Sequence, residues 1–169
     1  MFFSTVLSGL IMIYILFEPL AIKEREHEDV PIFQIKNFVM YELNSVGLKT
    51  LMTGEQTFKY DDRYVVDIID FTDRSKDYIS NMKADKGLYK EQIVNLSGNI
   101  AYIREDGLAF KSETMTYNTD TAVAKTDSSY IANKNSSTMT GTSLEYSSTL
   151  NTLKSQNVVI KYQLTEDNL

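Results

Sequence analysis

From Val30 onward apolar and polar side chains alternate over runs of eight to twelve residues broken by turn dipeptides, and no stretch holds the 3.6-residue spacing of an amphipathic helix long enough to form one. The clearest run is Ile93-Val94-Asn95-Leu96-Ser97-Gly98-Asn99-Ile100-Ala101-Tyr102. It sets Val94, Leu96, Gly98, Ile100 and Tyr102 on one face. Asp106-Gly107 follows, and because glycine accepts the positive φ of a type I′ turn, the pair predicts a two-residue hairpin. Leu108 and Phe110 then restart the alternation on the return strand. Further breaks are predicted at Asn44-Ser45-Val46-Gly47, Asp61-Asp62, Lys86-Gly87, Asn118-Thr119-Asp120 and Ser147-Ser148. Threonine is abundant between them, as a half-exposed pleated surface favours. The pattern predicts an all-β body over residues 31–169.

A repeat underlies this punctuation. Phe58-Lys59-Tyr60, Met115-Thr116-Tyr117 and Leu144-Glu145-Tyr146 each read apolar-polar-Tyr and then run into a polar turn. Tyr117 and Tyr146 lie 29 positions apart, and Tyr60 and Tyr117 lie 57 apart, close to two such periods. Successive strand pairs stacking on their predecessors would give this spacing, as in an elongated antiparallel sandwich or a solenoid-like body. Several positions expected to point inward are Met or Tyr: Met40, Met52, Met82, Met115, Tyr60, Tyr117 and Tyr146. Methionine is flexible and polarizable, so these residues fit either gap-filling in an imperfect core or an apolar trough that accepts variable shapes.

The first seventeen residues, Met1 to Phe17, carry no charged side chain, and Lys23 to Asp29 is a wholly polar run. At 1.5 Å per residue the apolar stretch gives a helix of roughly 25 Å, the short end of a membrane span. A cleaved secretory signal would need a basic n-region and a small-x-small cleavage site, and neither is written there. A buried core helix would not be apolar on every side. The expectation is therefore an uncleaved N-terminal transmembrane anchor over 1–22, a charged juxtamembrane linker over 23–30, and the β-domain over 31–169. Lys23 and Arg25 are interleaved with Glu24, Glu26, Glu28 and Asp29, so the charges do not select a side of the membrane.

Composition removes most chemistry. The chain has no Cys and no Trp, and its single His, His27, sits in the charged run, so thiol nucleophiles, thiolate metal sites and histidine proton shuttles are excluded. A net charge of −6 argues against a nucleic-acid partner. Asp61, Asp62, Asp70 and Asp73 are the nearest approach to a carboxylate cluster, but Asp61 and Asp62 fall in a turn where both are solvated rather than in contrasting environments. No glycine-rich phosphate cradle and no calcium loop is present. Asn95-Leu96-Ser97 and Asn135-Ser136-Ser137 match the N-glycosylation triplet, which is common by chance. No enzyme, cofactor or metal is expected.

The order of an apolar segment over Met1 to Phe17, a charged spacer over Lys23 to Asp29 and a β-domain from Pro31 onward resembles the LptC family, the membrane-anchored bridge subunits of bacterial lipopolysaccharide export. Ala84-Asp85-Lys86-Gly87 leading into Val94-Asn95-Leu96-Ser97-Gly98-Asn99-Ile100 is similar to the family's alanine-x-x-glycine and leucine-x-glycine-asparagine-valine stretches. Asp106-Gly107-Leu108, Thr114-Met115-Thr116-Tyr117 and Thr140-Gly141-Thr142-Ser143-Leu144-Glu145-Tyr146 are similar to its later strands, and Pro31-Ile32-Phe33 stands where family members enter their first strand. The sister protein LptA shares these motifs, and the anchor favours LptC. The resemblance implies a twisted, open β-jellyroll whose apolar interior cradles the acyl chains of lipopolysaccharide. It implies an inner-membrane location with the domain in the periplasm of a Gram-negative bacterium, an ABC transporter that supplies the lipid, and an LptA-type protein that receives it.

On this reading the trough is lined by Ile100, Phe110, Met115, Tyr117, Leu144 and Tyr146, with Met40, Met52, Phe58 and Ile160 extending it. The final strand, Asn157 to Leu164, is strongly β-prone and has no successor in the chain, so it presents an exposed edge. Val158, Val159, Ile160, Lys161 and Tyr162 are its expected docking edge for a partner strand. An anchored protein-interaction domain with a closed core is the alternative, and a secreted carbohydrate-binding module is a third reading that would need a cleaved signal.

Overall fold

Alternation is realised as nine long strands: β1 (Phe33–Asn44), β2 (Gly47–Lys59), β3 (Tyr64–Asp73), β4 (Ser80–Lys90), β5 (Ile93–Arg104), β6 (Leu108–Asn118), β7 (Val123–Lys134), β8 (Ser137–Ser147) and β9 (Thr152–Lys161). The computed structural model describes residues 29–162 except Val46 and Lys76. The expected anchor over 1–22, the linker up to residue 28 with His27, and Gln163 and Leu164 of the expected last strand lie outside the described residues. Among the described residues, no helix is long and apolar enough to cross a membrane.

The strands form one antiparallel sheet in sequence order, β1 to β9, every connection a hairpin. Among the described residues each strand contacts only its neighbours in sequence, so that β1 and β9 are the edges of the sheet they form. The all-β expectation holds, and an open sheet of this kind is consistent with the jellyroll that the resemblance implies.

Two local expectations are corrected. Asp106-Gly107 is part of a three-residue loop, with positive φ at Gly107 alone (86°) and its N–H donating to the Arg104 carbonyl at 3.0 Å. That is the type I turn followed by a glycine bulge, not a type I′ turn. Both central residues have positive φ instead at Glu91-Gln92, between β4 and β5, which lacks the Asn or Gly that marks such turns. Lys86-Gly87 is no break at all: Gly87 lies inside β4, paired with Val66 and Leu96. A Cβ there would come within 2.4 Å of Ile69 Cδ1, so glycine makes room for a packed side chain rather than a turn.

A seam of irregularities crosses the middle of the sheet. Pairing shifts register between Lys83 and Lys86, Ser97 and Ile100, Ser112 and Thr116, and Thr126 and Ser129. The seam continues between Thr140 and Leu144, and Asn37, Ile68, Asn99 and Asn157 take positive φ along it. Bulges bend their strands and increase local twist, so this seam creases the sheet. They also reset which alternate residues face inward. In β6, Phe110 and Ser112 share a face with Met115 and Tyr117 although the spacing changes parity between them.

Two small apolar clusters lie on that face. Ile69, Ala84, Leu96 and Ile100 form one, with Met52, Val66, Phe71 and Val94 packed against it. Phe110, Tyr130 and Leu144 form the other, with Tyr102, Met139 and Tyr146 around them. Among the described residues, Ile100 alone of the large side chains is essentially sealed, at 1% exposure. Many others, including Met40, Tyr64, Tyr89, Leu153 and Ile160, stay open to solvent.

Candidate functional site

Directly opposed residues of antiparallel strands share a face, so the register can be followed from edge to edge. One such row runs Met40, Met52, Phe71, Met82, Tyr102, Phe110, Ala132, Met139, Ile160, one residue from each of the nine strands. No member carries a charge. Its ends, Met40 and Ile160, are 55% and 64% exposed because each edge strand has a neighbour on one side alone. The row is an uninterrupted apolar path across the sheet.

A second row lies toward the opposite ends of the strands: Phe33, Lys59, Tyr64, Tyr89, Val94, Tyr117, Ala124, Tyr146, Leu153. Between the two lie Ile100, opposite Ser112, and Leu96, opposite Met115. Leu144 is opposite Thr126. The residues expected to line a trough are thus distributed over one face. Met40, Met52, Phe110 and Ile160 stand in the first row, Tyr117 and Tyr146 in the second, and Ile100, Met115 and Leu144 between them.

Phe58 does not join them. It pairs with Val65, which pairs with Leu88, on the other face, while Thr57 and Lys59 point inward. The Phe58-Lys59-Tyr60 copy of the repeat is therefore out of step by one residue, and Tyr60 sits in the turn with the Arg63 guanidinium 4.1 Å from its ring. The missing copy is Gly87-Leu88-Tyr89. Tyr89 stands 28 positions before Tyr117, in the row that Tyr117 and Tyr146 share. Its signal was present in the 57-residue gap, but Gly87 in place of a large apolar residue and Leu88 in place of a polar one concealed it.

Ion pairs occupy the other face and the strand ends. Lys83 holds Asp70 at 2.8 Å, and Lys125 and Lys154 both reach Glu145. Asp62 in the β2–β3 turn accepts from Lys90 at 2.7 Å and from Arg63 at 2.8 Å. The hydrogen bond from Lys90 is the main reason its carboxyl titrates below the usual range. Of the carboxylates singled out in the sequence, Asp62 and Asp70 therefore fasten strands together, while Asp73 accepts from the Ser75 N–H at 2.8 Å in the turn after β3. Among the described residues, no three potential metal ligands come together.

At the free edge formed by β9, Val158 and Ile160 continue the inner face, while Val159 opposite Thr140 and Lys161 opposite Thr138 lie on the other. All five residues from Val158 to Tyr162 are exposed. The strand begins five residues earlier than expected, at Thr152.

Comparison with known proteins adds one match. No individually curated protein matches the chain. The family described as lipopolysaccharide-assembly, LptC-related matches residues 3–162, nearly the entire sequence and every one of the nine strands. With a creased antiparallel sheet, an apolar inner path and two open edges, the chain belongs to the LptC-related family of lipopolysaccharide assembly.

Proposed function

We propose that this protein is a non-enzymatic bridge that carries lipopolysaccharide through the periplasm, shielding its acyl chains against the inner face of the sheet. The observation that carries the reading is the charge-free row from Met40 to Ile160. A lipid with several acyl chains cannot cross water unshielded, since each buried CH2 contributes about 0.8 kcal/mol. A row that ends exposed at both edges lets the lipid pass onward between neighbouring domains rather than sit in a closed pocket. The N-terminal segment is the anchor in the inner membrane, an ABC transporter there supplies the lipid, and an LptA-type protein pairs with β9 through Val158 to Tyr162 by strand addition.

Adjacent residues of one strand face opposite sides, so Met82 and Lys83 make a matched pair. A photo-crosslinking residue at position 82 is expected to capture lipopolysaccharide in exporting cells, and one at 83 is not. Equal capture at both positions, or none at 82, would overturn the reading.

A further inference from the structure

The two rows of the inner face differ chemically. The Met-rich row offers one hydroxyl, that of Tyr102, and no charge. The row through Lys59, Tyr64, Tyr89, Tyr117 and Tyr146 offers four hydroxyls and an ammonium. On β4 they are represented by Met82 and Tyr89, seven residues apart, which is about 23 Å of extended strand before bending.

We propose that the tyrosine row seats the polar headgroup of the lipid. An acylated glycolipid then lies along the strands with its chains against the Met-rich row and its sugars against Tyr64, Tyr89, Tyr117 and Tyr146. The inference rests on the lipid-carrying reading and adds an orientation to it. Tyrosine presents an apolar ring and a polar tip, which suits the boundary between acyl chain and sugar. The Tyr89 hydroxyl is engaged with Gln92 Oε1 at 2.7 Å. Those of Tyr64, Tyr117 and Tyr146 have no hydrogen-bond partner among the described residues, and no buried polar side-chain atom lacks one, so these tips meet solvent. They are free to bond a hydroxyl-rich ligand without breaking anything in the protein.

Charge points the same way. Lys59 Nζ lies 3.9 Å from the centre of the Tyr64 ring and has no carboxylate partner among the described residues. It is available to an anionic group on the headgroup. At the opposite ends of the strands, Arg104 and Lys134 both close on Asp106, at 2.5 and 2.9 Å, so those cations already have a carboxylate partner.

Because the chain contains no Trp, single reporters are clean. Met82→Trp and Tyr89→Trp in the full chain, held in nanodiscs, are titrated with lipopolysaccharide bearing a short-range quencher either at an acyl terminus or on a headgroup sugar. The acyl label should quench the reporter at position 82 more strongly, and the headgroup label the one at 89. Equal or reversed quenching overturns the orientation while leaving lipid binding standing, whereas no quenching of either reporter overturns both. In a chain without reporters, Tyr117→Phe and Tyr146→Phe should each weaken binding about fivefold, the equivalent of one hydrogen bond near 1 kcal/mol. Unchanged affinity in the double variant refutes a headgroup role for the hydroxyls.

Discussion

Gly141→Ala tests how β9 is held to the sheet. Gly141 faces Tyr130 across the β7–β8 pairing, and a methyl group there would stand 2.8 Å from the Tyr130 hydroxyl oxygen and 2.9 Å from the backbone oxygen of Gln156 in β9. Ordinary contact begins near 3.4 Å, so the ring and β9 must between them give by about half an ångström. Tyr130 has little freedom. It is buried, stacked on Phe110 at 5.7 Å, and hydrogen-bonded through its hydroxyl to Ser155 of β9 at 2.8 Å. If the ring moves, that bond is lost; if it stays, β9 is pushed out. Overpacking costs about 1–3 kcal/mol and the hydrogen bond about 1 kcal/mol, giving about 2–4 kcal/mol together. Tyr130→Phe removes the hydrogen bond alone and should cost about 1 kcal/mol. At about 4 °C per kcal/mol for a domain of this size, melting followed by circular dichroism should fall by about 8–15 °C for Gly141→Ala and about 4 °C for Tyr130→Phe. Hydrogen exchange should accelerate in β9 first. A Gly141→Ala melt no lower than that of Tyr130→Phe would refute the claim that this glycine exists to let the ring lie across it.

Ile100→Ala, at the most sealed position, should cost about 2–5 kcal/mol in chemical denaturation, and a cost near zero would mean that the centre of the sheet is not packed. Ile68→Asn should stabilise by about 1 kcal/mol, because Ile68 is 53% exposed and holds a φ of 52°, which a β-branched residue adopts under strain and Asn tolerates; a lower melting temperature would contradict that. The Asp106 carboxyl is held well below the usual range, chiefly by its hydrogen bond from Arg104 and then by that from Lys134. A depressed folded-state pKa stabilises above the unfolded value near 3.9 and is lost progressively as pH falls below it. Asp106→Asn should therefore flatten the acid side of the stability–pH curve below about pH 4, and an unaltered slope would show that the cluster contributes nothing there. Truncation after Asn157 should abolish capture of an LptA-type partner while the remaining strands still give β-sheet circular dichroism; undiminished capture would move the docking edge elsewhere.

Sequence legibility follows the bulges. The strand Ile93 to Tyr102 keeps its alternation through the seam, and its inner face could be read residue by residue. Its neighbour β6 switches parity between Ser112 and Met115, and nothing in Glu113-Thr114 announces it. Phe110 and Met115 are assigned to one face by the alternation and the apolar-polar-Tyr repeat, although five positions separate them and an unbulged strand would set them on opposite faces. The same repeat put Phe58 inward, where the inner position belongs to Thr57. Glycine misled in the opposite direction at Gly87, since a residue that makes room for Ile69 looks the same in sequence as one that turns the chain. The strand β9 was legible because Val158 to Tyr162 is a strongly β-prone run. The continuity of the apolar row was not, because it exists through register alone, and register depends on bulges and turn lengths that a single strand does not contain.

Pairing between sequence neighbours alone has a consequence for how the sheet is made and unmade. Among the described residues, no two that face each other in the strand register lie more than 26 positions apart, as at Phe33 with Lys59 and Leu108 with Lys134. Chains built from such local contacts fold quickly and approach a one-dimensional ladder, in which stability is a sum of nearest-neighbour terms. Loss of a terminal strand then costs one interface and leaves the remainder intact, so β1 and β9 open far more often than β4 to β6. The same arithmetic runs in reverse. A strand from another protein laid on either edge becomes simply the next rung, and a series of such domains is, to the chain's own physics, one longer ladder.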